Sequence, residues 1–117
     1  MTQEDKELLL RDLSARLPHG VVYHRNDGAN IKLSAIDVER GLLNYTDDIE
    51  ERECKPYLRP MSSMTEEEKH NYFMTYTSIK GVDIPHPYKT QDWLNVHHFD
   101  FRNLIEKGLA IAVTEEN

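Results

Sequence analysis

The sequence predicts an α+β fold, and three observations carry that expectation. The first residues repeat leucine at helical spacing. A run of short β-branched segments broken by turn residues follows, and then a C-terminal half punctuated by helix caps and prolines. The expected architecture is an N-terminal helix, a small strongly bent antiparallel sheet (SH3-like or a similar open barrel), and two to three C-terminal helices. With 117 residues the chain fits one domain, 1–117, large enough for a core without disulfide or metal staples.

Residues Thr2 to Leu17 read as the first helix. Thr2 can cap it, Glu4 and Asp5 suit the positive end of its dipole, and Leu9, Leu13 and Leu17 line one stripe widened by Leu10. Arg11, Asp12, Ser14 and Arg16 lie mostly off the stripe, and Pro18 stops the helix. Gly20 to Arg25 is a short strand, and Asn26-Asp27-Gly28-Ala29-Asn30 favours a hairpin turn. In the return strand, Ile31 to Glu39, the pair Ile31 and Leu33 is out of phase with Ile36 and Val38. Both pairs can face one core only if an extra residue sits near Ser34-Ala35, so a bulge is expected there. A second turn at Arg40-Gly41 leads into Leu42-Leu43-Asn44-Tyr45; Asp47-Asp48 is expected to break the run, and Ile49 to Cys54 to add an edge strand.

Lys55-Pro56-Tyr57-Leu58-Arg59-Pro60 reads as an extended connector, because each proline removes a backbone donor. Thr65-Glu66-Glu67-Glu68 is a capping box opening a helix from Glu66 to Tyr76, with Tyr72, Phe73 and Tyr76 as its apolar positions. Ser78 to Tyr88 reads as a proline-punctuated loop with room for a short strand at Val82-Asp83-Ile84. Thr90 is the expected cap of a further helix carrying Trp93, Leu94 and Val96. Asp100 is the expected cap of a segment Phe101 to Lys107 that stops at Gly108, as one kinked helix or two. Leu109 to Val113 is a candidate closing strand, and Thr114 to Asn117 is expected to fray.

Composition narrows the function classes. The formal charge is -7, and the 14 basic residues are scattered and outnumbered by 21 acidic ones, which disfavours a phosphate-binding surface and nucleic acid as a partner. The acidic surplus gathers at residues 47–53, at Glu66-Glu67-Glu68 and at Glu115-Glu116 and reads as solvated faces. One cysteine, Cys54, permits neither an intrachain disulfide nor a Cys-rich zinc site, and an acidic run beside it opposes thiolate formation. No apolar run approaches the roughly 20 residues that span a bilayer, and the polar start lacks a secretory signal pattern, so a cytoplasmic location is expected.

Few residues offer chemistry. His97, His98 and Asp100 place two imidazoles and a carboxylate within one turn, making them the candidate metal or acid–base group. Adjacent helical residues diverge by about 100°, however, so one helix aims them poorly at a single ion. The paired-histidine zinc motif is absent, as is any phosphate-cradling glycine loop; no cofactor is expected. Tyr57, Tyr72, Tyr76 and Tyr88, on a connector, a sparse helix and a long loop, are the candidate exposed aromatic patch, a signal of interfaces.

Two segments carry a resemblance. Lys55-Pro56-Tyr57-Leu58-Arg59-Pro60-Met61-Ser62-Ser63-Met64-Thr65-Glu66-Glu67-Glu68 forms one, and Trp93-Leu94-Asn95 with His97-His98-Phe99-Asp100 through Leu104-Ile105-Glu106-Lys107-Gly108-Leu109-Ala110 the other. Together with the opening Leu8 to Leu13 and Ala15 to Pro18, they resemble a family of short uncharacterised bacterial proteins associated with prophages and other mobile elements of gut anaerobes. The resemblance implies kinship and no catalytic, cofactor or ligand residue.

The expected function is a non-enzymatic module that binds another protein through the Pro-Tyr connector and the Ser78 to Lys89 loop. A metal-binding protein or enzyme centred on His97, His98 and Asp100 is the alternative, and an acidic inhibitor of a nucleic-acid enzyme a weaker one. A homodimer stays open.

Overall fold

The structure is a computed structural model and describes residues 1–113. It is α+β. Helix α1 (Gln3–Arg16) begins as its capping residue dictates: the Thr2 side chain accepts a hydrogen bond from the Asp5 amide at 3.0 Å. Leu9 and Leu13 are fully buried. A single 3-10 turn, Leu17–His19, carries Pro18 past the helix end, and Gly20 takes the left-handed conformation that closes it. The solvent face departs from expectation: Asp12 and Arg16 are fully buried as an ion pair.

Strands β1 (Val22–His24) and β2 (Asn30–Lys32) form the expected hairpin, with Tyr23 opposite Ile31. The phase change after Leu33 is resolved by a break rather than the expected bulge. The chain leaves the first sheet and starts a second, three-stranded one from β3 (Ile36–Asp37), β4 (Leu42–Leu43) and β5 (Asp47–Asp48). Asn44 makes the break affordable. Its side-chain carbonyl accepts from the Ser34 and Ala35 amides (2.7 and 3.1 Å), and its amide donates to the Lys32 carbonyl (2.9 Å). A side chain thus stands in for the partner strand that these backbone groups lack.

Asp47-Asp48, expected to interrupt a strand, is itself β5. The Asp47 carboxylate is tolerated inside because the Tyr23 hydroxyl donates to it at 2.6 Å and Arg25 at 3.2 Å. Ile49 to Cys54, expected as an edge strand, is instead a series of turns. Asp48 accepts the Glu50 and Glu51 amides, both at 3.0 Å, so its side chain favours a turn over an extended run.

The expected connector is β6 (Lys55–Pro60), at the centre of the largest sheet. The order is β10-β6-β1-β2, with β9 (Phe99–Asp100) also paired to β6 and β10 spanning Ile111–Ala112. β1 runs antiparallel to β6; β9 and β10 run parallel to it. The prolines occupy its second and last positions. The groups between them make the ladder, with the Arg59 amide donating to the His98 carbonyl and the Leu58 carbonyl accepting from Val113, both at 2.8 Å. Among the described residues, the expected single bent antiparallel sheet is therefore three separate sheets, one of them mixed, and none closes into a barrel.

Helix α2 (Glu66–Phe73) has the expected capping box of Thr65 and Glu68, and ends before the expected Tyr76. Arg59 grips the Glu68 carboxylate through both terminal nitrogens (2.6 and 2.8 Å), fixing α2 to β6. The expected loop after it is a hairpin of β7 (Thr77–Ile79) and β8 (Val82–Ile84). Lys80 and Gly81 form its turn with φ of 52° and 78°, the positive pair that a tight two-residue hairpin demands.

Helix α3 (Lys89–Val96) starts after Tyr88 rather than at Thr90, whose hydroxyl is buried 3.0 Å from that of Thr75. Beyond it, Phe101 to Lys107 forms turns instead of a helix, because His98 and Asn103 take positive φ (59° and 60°) and interrupt any helical path. Asp100 still caps, its two oxygens accepting the Leu104 and Ile105 amides at 2.9 Å each, but from within a strand. The expected fraying of Thr114 to Asn117 lies outside the described residues.

Two apolar clusters result. The larger joins α1, both main sheets and the C-terminal turn through Leu9, Leu13, Tyr23, Leu43, Leu58 and Leu104. Each such aliphatic side chain contributes about 1.5–3 kcal/mol on burial. The smaller gathers Met64, Leu94 and Phe99 beneath Tyr72, Trp93 and Phe101. Among the described residues no helix is long and apolar enough to cross a membrane.

Candidate functional site: the end of α3 and the uncovered hairpin

At the end of α3, the residues proposed to converge face different neighbours. The His97 ring lies on Trp93, centroids 4.2 Å apart, and Trp93 stacks on Phe99 at 5.7 Å and 8°. The Arg59 guanidinium covers the other end of this column, 4.3 Å from the Phe99 centroid. His98 turns away through its positive φ. Its Nε2 lies 3.1 Å from the His19 carbonyl, and its buried Nδ1 has no hydrogen-bond partner. Burial, reinforced by the Arg16 charge, holds its pKa below the ordinary histidine value. Asp100 uses both oxygens on backbone amides. Among the described residues no three His, Cys, Asp or Glu side chains gather into a metal-holding group.

The four tyrosines do not form one patch either. Tyr57 is half-buried on β6, its hydroxyl donating to Asn30 at 2.7 Å and lying 3.1 Å from His24 Nδ1. Tyr72 and Tyr76 are half-buried, and Tyr72 packs against Trp93 at 5.7 Å and edge-on to Tyr76 at 5.5 Å. Burial, with the hydrogen bond to Tyr76, pushes the Tyr72 phenol up to about 12. Tyr88 is 75% exposed, its ring 6.2 Å from that of His86.

Exposed apolar side chains are found at the end of α2 and along the Ser78 to Tyr88 stretch, part of the expected binding loop. Phe73, Met74, Ile79, Val82 and Ile84 are all exposed, as is Tyr88. The hairpin register sets Ile79 opposite Val82, Ser78 opposite Asp83 and Thr77 opposite Ile84. Side chains alternate along a strand, so Thr77, Ile79, Val82 and Ile84 share one face, and Ser78 and Asp83 the other. Among the described residues no third strand joins the pair. The signal was present as alternation across Ser78-Ile79-Lys80-Gly81-Val82-Asp83-Ile84, hidden by the prolines that follow.

A feature missed from sequence is the charge cluster between α1 and the turn that follows β9. Arg16 Nε meets Asp12 at 2.9 Å, and Arg16 Nη2 donates to the Phe99 carbonyl at 2.6 Å. Arg102 reaches the other Asp12 oxygen and lies over the Phe101 ring at 4.1 Å. The only sequence cue is the Asp12/Arg16 spacing of one helical turn. Its bonds tie α1 to the turn after β9, so it acts as a clasp between them, while the buried Arg16 Nη1 has no hydrogen-bond partner. Cys54 is likewise inert: burial, then the Asp47 charge, pushes its thiol up to about 12.

No family model, curated protein or solved structure matches the chain at a significant level.

Proposed function

We propose that the chain is a small non-enzymatic interaction module, cytoplasmic and of mobile-element kinship, that docks an apolar protein surface through β7–β8, Phe73, Met74 and Tyr88. One observation carries this reading: a β-hairpin turns a face of Ile79, Val82 and Ile84 to solvent, with no element among the described residues packed over it. Exposed apolar strand faces of this kind mark interfaces. The Pro-Tyr connector, being a central strand, is no part of this docking surface.

Affinity capture with the tagged chain, with and without nuclease, tests the reading against the variant Ile79→Thr/Val82→Thr, which keeps β-branched residues in both strands. A nuclease-resistant protein captured by the native chain and lost by the variant is the expected result. Identical capture by both, or capture only before nuclease treatment, overturns it.

A further inference from the structure

We propose that a cavity between the first turns of α1, the turns leading into β6 and the turn before β10 binds a small zwitterion of the amino-acid class. Asp5 and Glu53 receive its ammonium, and Lys55 and Lys107 its carboxylate. The site goes beyond the interaction reading above, since it shares no residue with β7–β8, Phe73, Met74 or Tyr88.

The cavity measures about 330 Å³, at the small end of the roughly 300–1,000 Å³ that ligand sites occupy. Three segments far apart in the chain build it. Asp5 comes from α1, Glu50, Glu53 and Lys55 from the run into β6, and Lys107 from the turn before β10. Behind these polar groups stand Leu9, Cys54 and Leu109, all members of the larger apolar cluster. The backing is fixed by the backbone as well: the Cys54 amide donates to the Ile49 carbonyl at 3.1 Å, and the Leu109 amide to the Leu104 carbonyl at 2.8 Å. The charges are thus carried on a rigid wall rather than on a loose loop.

Charge selects the ligand. Lys6, which does not line the cavity, neutralises Glu50 at 2.9 Å. Two carboxylates, Asp5 and Glu53, and two ammonium groups, Lys55 and Lys107, then border the space. Among the described residues none of these four side chains enters an ion pair, with one another or with any other group. Opposite charges that share a cavity without meeting leave a gap for a ligand carrying both. A net anion or cation meets as much repulsion as attraction in this balanced setting, whereas a zwitterion can turn each end to its complement. A concave wall concentrates the field of its charges, and charge-assisted hydrogen bonds at both ends fix the orientation. The small volume suits an amino acid, free or within a dipeptide; the two share this chemistry and differ in the separation of their charges.

Amide NMR of the full chain, titrated with L-leucine and with L-leucyl-L-leucine, tests the site and separates the two sources. Saturable shifts at the Glu53 and Gly108 amides are expected from at least one of them, and the tighter of the two identifies the free amino acid or the dipeptide. N-acetyl-L-leucine keeps only the carboxylate and L-leucinamide only the ammonium, so each should bind at least about tenfold more weakly. Glu53→Gln and Lys107→Gln should each weaken the zwitterion at least about tenfold. Their urea midpoints should match the native one, because neither side chain is bonded within the fold. Absence of saturable shifts with both ligands overturns the assignment. Equal binding of either singly charged analogue does so too, as does binding indifferent to both variants.

Discussion

The Arg102 guanidinium lies 2.5 Å from the Asp12 carboxylate, across 90 positions of chain, and both side chains are withdrawn from solvent. Asp12 also neutralises Arg16, so one carboxylate serves two arginines on different segments. Removing it strands two positive charges inside the protein. Asp12→Ala is expected to cost about 3–5 kcal/mol in urea unfolding, because breaking a buried pair exceeds the net worth of forming one. Asp12→Ala combined with Arg102→Ala should lose less than the two single losses added; strict additivity would show that the pair is not coupled.

His98 gives the fold a pH dependence of definite sign. Burial first, then the neighbouring Arg16 charge, depresses its folded pKa, with Asp12 and the His19 carbonyl opposing. The folded protein thus binds a proton at His98 less readily than the unfolded chain. Its stability contribution is complete above the unfolded value of about 6.5 and is lost as pH falls through the lower folded value. His98→Gln should reduce the fall in urea midpoint between pH 7.5 and 5. An unchanged slope would remove His98 from the account.

Glu68 acts at lower pH. The double hydrogen bond from Arg59 comes first among the causes that hold its carboxyl at about 2 despite partial burial. Its stabilising effect is present above the ordinary carboxylate range and disappears as pH falls from about 4.5 to about 2. Glu68→Gln should destabilise the chain by about 1–3 kcal/mol at neutral pH. Native and variant midpoints should converge near pH 2, and a constant gap down to that pH would refute this.

Cys54 is fully buried. A water-soluble disulfide reagent at pH 8 should label it only at the rate of unfolding, and in full once urea is added. Rapid labelling of folded protein would place the thiol at the surface instead.

What could be read in advance was local. Thr2 and Thr65 cap helices through atoms three residues away, and both were legible. The phase change between Leu33 and Ile36 was also visible. Its outcome depended on Asn44, whose side chain holds the broken backbone open from further along the chain. β6 was misread because its prolines suggest a connector, while the partners that make it a strand, β9 and β10, lie some 40 to 55 residues later. Asp12 and Arg16 lie off the leucine stripe by spacing, and their burial was hidden because the residue that completes it is Arg102, far along the chain. The His97-His98 pair was conspicuous, yet where each ring points was set by the positive φ of His98, which no spacing rule reveals.

The parallel pairings of β6 bear on how the molecule is made. During synthesis α1, β1, β2 and β6 emerge before the strands that cover β6 at Tyr57 to Pro60, which follow some 40 to 55 residues later in the chain. Until then, an unsatisfied strand edge stands open on a nascent chain, and closing it requires contacts of long sequence separation, the slow kind. Phe99–Asp100 and Ile111–Ala112 therefore act as the lock on the segments made before them, and chains interrupted before Phe99 would carry that open edge into solution, ready for aggregation or degradation.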